Sequence, residues 1–328
     1  MRKILLYILC MVFLCFLIPI LFTQKKQLKE EKTDNKIEEK IENYNYGQYN
    51  RVKLLHTKTE EIEELELDNY LLGVVSSEMP ASFEQEALKA QAVVARTYTI
   101  YKITGNKKHE NADICDNSAC CQAWISKEDR LNKWNEGERE TNWAKIEEAV
   151  NSTKGKIVTY EGKPINAFFH SNSGGITDTA TAVWGGNNYP YLQAVITSGE
   201  DSYSQYNSEM ILTKDEFINK IKKYHNNFKI DFSLENQIEI LEYTDGERIK
   251  TIKIGNLNLS GVEIRSIFGL KSAKFEINVE GENIKFSVIG YGHGVGMSQT
   301  GADSMAKQGS NYEEIIKHFY TGVEITNI

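Results

Sequence analysis

The chain has 328 residues, 38 lysines and arginines against 46 aspartates and glutamates, and a formal net charge of −8. That acidic balance excludes a nucleic-acid backbone as the expected partner. The length allows one large domain or two packed lobes.

Ile4 to Thr23 carries no charged side chain. About 20 apolar residues at about 1.5 Å each span a bilayer core, so residues 1–23 read as a transmembrane anchor. Arg2 and Lys3 place its N-terminus in the cytoplasm, and Ile20-Leu21-Phe22-Thr23 offers no small-x-small cleavage site. Residues 24–50 are dense in alternating charge and poor in large apolar side chains, which makes them a tether rather than a core-forming segment. The folded part, residues 51–328, is then extracytoplasmic.

Within it, Asp68 is expected to cap a short helix carrying Leu71, Leu72 and Val75, which ends near Glu78 because Pro80 forces Met79 to extended geometry. Ser82 and Gln85 have capping-box spacing and open a second helix to Ile103. Glu78 thus sits in a sharp break between helices, where it can face a cleft. A helix is expected at Trp143–Ser152, a hairpin at Ile157–Tyr160 and Ile165–Phe169, and a strand at Tyr191–Ile196. Thr213 with Glu216 starts another helix. Short strands alternate from Ile238 to Ile289 around a helical piece at Ser260–Phe268. The chain closes with a glycine loop, a helix over Ser298–Gln308 and a helix capped by Ser310. Strands and helices come in blocks, which predicts an α+β fold with two lobes around a groove.

Four constellations carry candidate chemistry. Glu78, beside Val74, Val75, Met79 and Phe83, is an acid whose pKa an apolar setting would raise, although a glutamate at a helix end is more often a surface charge. Arg96 lies on an otherwise apolar helix; it either extends to solvent or reaches the cleft. His109, Cys115, Cys120 and Cys121 offer zinc ligands, with His109, Cys115 and Cys121 spaced by six. The alternatives there are a disulfide from Cys115 to Cys120 or Cys121, or inert buried thiols. Finally, His170, Ser171, Ser173, Gly174 and Gly175 at a strand end, and His293, Ser298 and Gln299 around the glycine loop, suit sugar binding through side chains and closely approached backbone. The Gly292-x-Gly294-x-Gly296 spacing is not a dinucleotide turn, because no further parallel strand or ribose-binding acid follows.

Ser76-Ser77-Glu78-Met79-Pro80, the run Ala87 to Tyr98, Cys121-Gln122-Ala123-Trp124, Ala167 to Gly175, and Gly290 to Gln299 together resemble the stage II sporulation protein D family, in order from about Leu67 to Phe319. The resemblance implies a membrane-anchored lytic transglycosylase that cuts peptidoglycan glycan strands during engulfment, from the mother-cell membrane facing the intermembrane space. It implies that Glu78 is the catalytic acid, that Arg96 is needed for activity, and that His109, Cys115 and Cys121 bind zinc. It also implies a partner amidase that strips stem peptides first. Two other classes remain open: a zinc hydrolase, and a non-enzymatic glycan-binding module that stimulates an amidase.

Overall fold

The computed structural model describes residues 46–105 and 107–328. The expected anchor and most of the tether lie outside the described residues. Among the described residues no helix is long and apolar enough to cross a membrane. Tyr46–Tyr49, at the end of the expected tether, already forms a 3₁₀ turn.

The first lobe begins with a hairpin of β1 (Arg51–Leu55) and β2 (Ile62–Glu66), which sequence reading missed because β2, Ile-Glu-Glu-Leu-Glu, is almost wholly exposed. Helix α1 (Leu67–Glu78) follows, and its C-cap Met79 sits at φ −117°, ψ 142°, the extended geometry that Pro80 imposes. Asp68 does not cap α1; it lies in the first turn and pairs with Arg96. Helix α2 (Gln85–Ile103) buries nearly its whole circumference, as expected of a helix that forms the centre of a core. Its predicted capping box does not form. The N-cap is Glu84, whose backbone N–H instead donates to Asp303 Oδ1 at 2.6 Å, 219 residues away.

After α2, β3 (Ile114–Cys115) pairs parallel to β1. Helices α3 (Lys127–Lys133) and α4 (Arg139–Ser152) lead into β4 (Lys156–Tyr160) and the brief β5 (Lys163–Pro164). β5 lies just before the predicted second hairpin strand, Ile165–Phe169, which meets β4 only where the Ile165 N–H donates to the Val158 carbonyl at 3.2 Å. The chain then crosses to β6 (Phe169–His170), which runs parallel to a late strand. After α5 (Ala180–Trp184), residues 191–196 form no strand beyond an isolated bridge between Ile176 and Ile196.

The second lobe has its own core. Strands β7 (Asn207–Thr213), β8 (Ile238–Tyr243), β9 (Ile249–Ile254) and β10 (Leu257–Ser260) alternate with α6 (Lys214–Lys222), whose Thr213–Glu216 capping box forms as predicted. Helix α7 (Gly261–Phe268), capped by Ser260, precedes β11 (Phe275–Glu280) and β12 (Asn283–Ile289). The sheets are ordered β10-β9-β8 and β11-β12-β7. Ile284, Phe286 and Val288 alternate inward on β12 and meet Phe217 and Phe268, whose rings stack at 5.1 Å. The chain returns to the first lobe through β13 (Met297–Ser298), α8 (Gln299–Lys307), α9 (Tyr312–Phe319) and β14 (Glu324–Asn327), which pairs with β4. The α+β class and two separate hydrophobic cores agree with the sequence. The last helix is capped one residue later than expected, by Asn311 rather than Ser310.

Candidate active site

Glu78 is the last residue of α1, and the Pro80 break turns its side chain into a groove. Two pockets meet there. One, of about 650 Å³, is lined among others by Glu78, Phe168, His170, Trp184, Arg265 and His293. The other, of about 390 Å³, is lined by Met79, Arg130, Trp134 and their neighbours. Glu78, Ser171 and Gln299 belong to both walls. The reason lies in strand pairing: β6 and β13 run parallel with His170 opposite Ser298, so Ser171 and Gln299, each one residue further on, emerge at the same end. Ser171 is held by its carbonyl, which accepts from the Thr300 N–H at 3.0 Å.

The Glu78 carboxyl accepts the Ala123 backbone N–H at 2.6 Å, and Gln299 is its second hydrogen-bond partner. Burial disfavours the carboxylate more than these bonds favour it, so the pKa rises from 4.5 to about 7. Among the described residues Glu78 is the sole acidic one lining either pocket. An arrangement of two facing carboxylates is therefore absent from the described walls.

The two histidines of the larger pocket are neutral for physical reasons. His170 is buried and faces the positive field of Arg248, which brings its pKa down to about 3. Its Nδ1 lies 3.2 Å from the Val295 carbonyl, an acceptor, so Nδ1 carries the proton and Nε2 is left as a buried acceptor without a partner among the described residues. Burial and His170 hold the His293 pKa well below its ordinary value, and its Nδ1 accepts the Val295 N–H at 3.1 Å. Trp184, close to half exposed, packs its ring 5.0 Å from His293 and 4.9 Å from Phe168, giving the pocket an aromatic wall.

Four residues expected to bind substrate do not reach the groove. Of these, Ser173, Gly175 and Ser298 bond instead to Glu200, a buried carboxylate that sequence reading missed, and Gly174 donates its N–H to Asn172 Oδ1 at 2.9 Å. Glu200 accepts the Ser173 N–H at 3.2 Å, the Gly175 N–H at 3.1 Å, Thr197 Oγ1 at 2.6 Å, Thr300 Oγ1 at 2.9 Å, and the hydroxyls of Ser173 and Ser298. These bonds outweigh burial and keep its pKa low. Gly174 gives its carbonyl to Lys274 at 2.9 Å. Beside this network Arg248 is buried too, donating to the Ser173 carbonyl at 2.7 Å and the Ile176 carbonyl at 3.1 Å, which fastens the second lobe to the first. Gly294, at φ 82°, lies against that guanidinium, where any Cβ would overlap it.

Arg96 also departs from expectation. It is fully buried and lines neither pocket. It bonds the carbonyls of Thr153 at 2.9 Å, Lys156 at 3.2 Å and Val150 at 3.3 Å, and Asp68 Oδ1 at 3.2 Å. The last turn of α4, the start of β4 and the first turn of α1 are thereby tied together, so Arg96 bears on Glu78 only through the placement of α1.

His109, Cys115, Cys120 and Cys121 converge, their ligand atoms all within 4.8 Å of one another. Tetrahedral zinc with Zn–S near 2.3 Å and Zn–N near 2.0–2.1 Å requires ligand–ligand edges of about 3.6–3.8 Å. His109 Nε2 is 3.7 Å from both Cys120 Sγ and Cys121 Sγ, and the two sulfurs are 3.9 Å apart. The residues fit the ion, and the fourth position beside His109, Cys115 and Cys121, which the sequence leaves to water, substrate or Cys120, is met by Cys120. The three thiols are free of disulfides, and burial pushes Cys115 up to about 12 without a metal. Cys120 and Cys121 form part of the pocket wall, and Ala123, whose N–H holds Glu78, is two residues beyond.

Fold and site define a two-lobed α+β protein with one protonatable carboxylate between two linked pockets. Residues 55–160, which hold both Glu78 and the cysteine cluster, match the family model described as SpoIID, Stage II sporulation protein. The chain is 37% identical over 277 residues to Stage II sporulation protein D of Bacillus subtilis (strain 168), covering 84% of this chain and 78% of that protein. Stage II sporulation protein D of Bacillus amyloliquefaciens is 36% identical over the same shares. The Amidase enhancer of Bacillus subtilis (strain 168) is 30% identical over 305 residues, 78% of this chain and 40% of that protein. The chain belongs to the stage II sporulation protein D family, a family of sporulation proteins linked to cell-wall processes.

Proposed function

We propose that the protein is a peptidoglycan lytic transglycosylase acting during engulfment. The observation that carries this reading is a single carboxyl with a pKa of about 7 where two pockets join. Protonated Glu78 donates to the glycosidic oxygen after N-acetylmuramic acid, and the departing sugar takes that proton as its new hydroxyl. The remaining sugar is left with an oxocarbenium-like centre. The Glu78 carboxylate then draws the proton from that sugar's C6 hydroxyl, whose oxygen closes on C1 and forms a 1,6-anhydro ring. One group acts as acid and then as base, returns to its starting state, and needs no water or second carboxylate. The Ala123 N–H and Gln299 steady the carboxylate between the two steps.

Zinc, when bound, would be held by His109, Cys115, Cys120 and Cys121 and would supply folding free energy to a loop poor in core residues. Four protein donors complete a tetrahedron, which favours a structural role over a metal-bound water and disfavours the zinc-hydrolase reading. The ordered loop carries part of the groove wall and the Ala123 N–H.

In this reading residues 1–23 anchor the chain in the mother-cell membrane, the folded part faces the intermembrane space, and an amidase strips stem peptides before the glycan is cut. The similarity to an amidase enhancer favours a link to such an amidase. It also keeps alive a second reading, in which the groove binds glycan and stimulates the amidase without cutting. Incubation with peptide-free glycan strands separates the two. Cleavage in the absence of amidase supports the transglycosylase; no cleavage, with amidase activity raised, supports the enhancer.

A further inference from the structure

The groove differs in charge from the chain that forms it. Against an overall −8, the charged side chains lining the two pockets are Glu78, Lys108, Arg130 and Arg265, one acid facing three cations. Two of the cations are arginines, Arg130 and Arg265, that have no carboxylate partner among the described residues. Elsewhere, Arg51 pairs with Glu64 at 2.8 Å, Arg96 with Asp68 at 3.2 Å, and Arg248 with Asp178 at 3.8 Å. Arg139, which lines neither pocket, donates to the Trp134 backbone carbonyl at 3.3 Å.

Arg265, on α7, uses only Nε, which donates to the Leu270 carbonyl at 3.3 Å; its two terminal nitrogens remain for the larger pocket. Arg130, on α3, lies over the Trp134 ring at 5.5 Å in the smaller pocket, and its buried Nε has no partner. A partly desolvated guanidinium without a counter-charge is costly, and its planar fork fits a carboxylate through two parallel hydrogen bonds. In the larger pocket the unpartnered His170 Nε2 adds a buried acceptor, which calls for a hydroxyl or amide N–H on the same ligand.

We propose that Arg265 and Arg130 are carboxylate-binding groups in two subsites flanking Glu78, and that they select glycan strands whose lactyl carboxyls are free. This rests on the reading of the groove as a glycan site. In such a strand every second sugar is an N-acetylmuramic acid. Its lactyl group is an anion when bare and a neutral amide when a stem peptide is attached. A substrate with anions at regular intervals supplies what the two guanidiniums lack, and its hydroxyls and acetamido N–H groups suit His170. An amide in the same place offers one neutral oxygen and a bulky extension.

The test measures binding and cutting separately on the full chain, with peptide-free glycan strands in two forms, carboxylate and methylamide. Binding is measured with Glu78→Gln, which cannot act as acid, so the result does not depend on the transglycosylase reading. The carboxylate form is expected to bind about 10–100-fold more tightly than the amide. Arg265→Gln and Arg130→Gln, each placed in the Glu78→Gln background, are expected to bring that ratio towards one, with Arg265→Lys intermediate. Among the described residues Arg130 makes no side-chain hydrogen bond, so Arg130→Gln reports on the ligand rather than on folding. Equal binding of the two forms by Glu78→Gln would overturn the proposal, as would discrimination that survives both glutamine substitutions. Discrimination in binding with no cutting by the unmodified chain would leave the proposal standing and remove the transglycosylase reading instead.

Discussion

Replacing Glu78 by Gln tests the acid through stability as well as rate. The folded protein holds the Glu78 proton with a pKa of about 7, against 4.5 for an ordinary glutamate. At about 1.4 kcal/mol per tenfold change in proton affinity, ionising the buried group costs the fold about 3 kcal/mol. The sign follows from proton counting. Below pH 4.5 the carboxyl is protonated in both states and contributes nothing. Between 4.5 and 7 the unfolded chain has released the proton while the folded chain keeps it, so stability falls as pH rises, then levels above 7. Glutamine keeps the oxygen that accepts the Ala123 N–H but has nothing to ionise. Glu78→Gln should therefore gain about 3 kcal/mol relative to the unmodified protein between pH 4 and pH 8, while activity falls about 10²–10⁴-fold. Urea unfolding of both proteins across that range isolates the difference, because every other titrating group cancels. A stability difference that does not change with pH would refute the buried-acid argument, whatever happened to the rate.

Glycan cutting by the unmodified protein should fall above about pH 7 as Glu78 ionises, and a rate still rising at pH 9 would assign the acid elsewhere. The protein should carry about one zinc per chain, and Cys115→Ser or Cys120→Ser should lower metal content and melting temperature together. Chelation that abolishes activity with no change in melting would instead point to a metal at the chemistry. Arg96→Met should destabilise the fold by about 3–5 kcal/mol, since it removes the hydrogen bonds of a buried guanidinium to Asp68 and to the carbonyls of Val150, Thr153 and Lys156. Loss of activity with unchanged stability would return Arg96 to the catalytic step.

Much of the framework was legible because local signals and tertiary structure agree. Pro80 ends α1 at Glu78, Thr213 and Glu216 form their capping box, and Ser298 caps α8. Where they disagree, long-range partners prevailed. Ser82 loses its capping role because the Glu84 N–H goes to Asp303, and Asp68 serves Arg96 rather than its own helix. The motif around Ser173 and Gly174 looked like a sugar-binding surface because hydroxyls and glycines suit either a ligand or a buried anion. Glu200, which takes those bonds, sits in a Ser-Gly-Glu-Asp turn with no sequence mark to separate it from a surface acid. Arg130 and Arg265 are similarly concealed, since a helix arginine facing a pocket has the same sequence context as one facing solvent. Cys120 was visible as a residue, but its membership of the metal cluster depends on how the loop closes.

Intramolecular ring closure by Glu78 would leave its mark on the cut ends of the glycan. Mass spectrometry of the products from peptide-free glycan strands tests it most directly. Muramic ends lighter by one water than ordinary reducing ends are expected, formed by the unmodified protein and lost in Glu78→Gln. Products with ordinary reducing ends, or cutting that persists in Glu78→Gln, would contradict it.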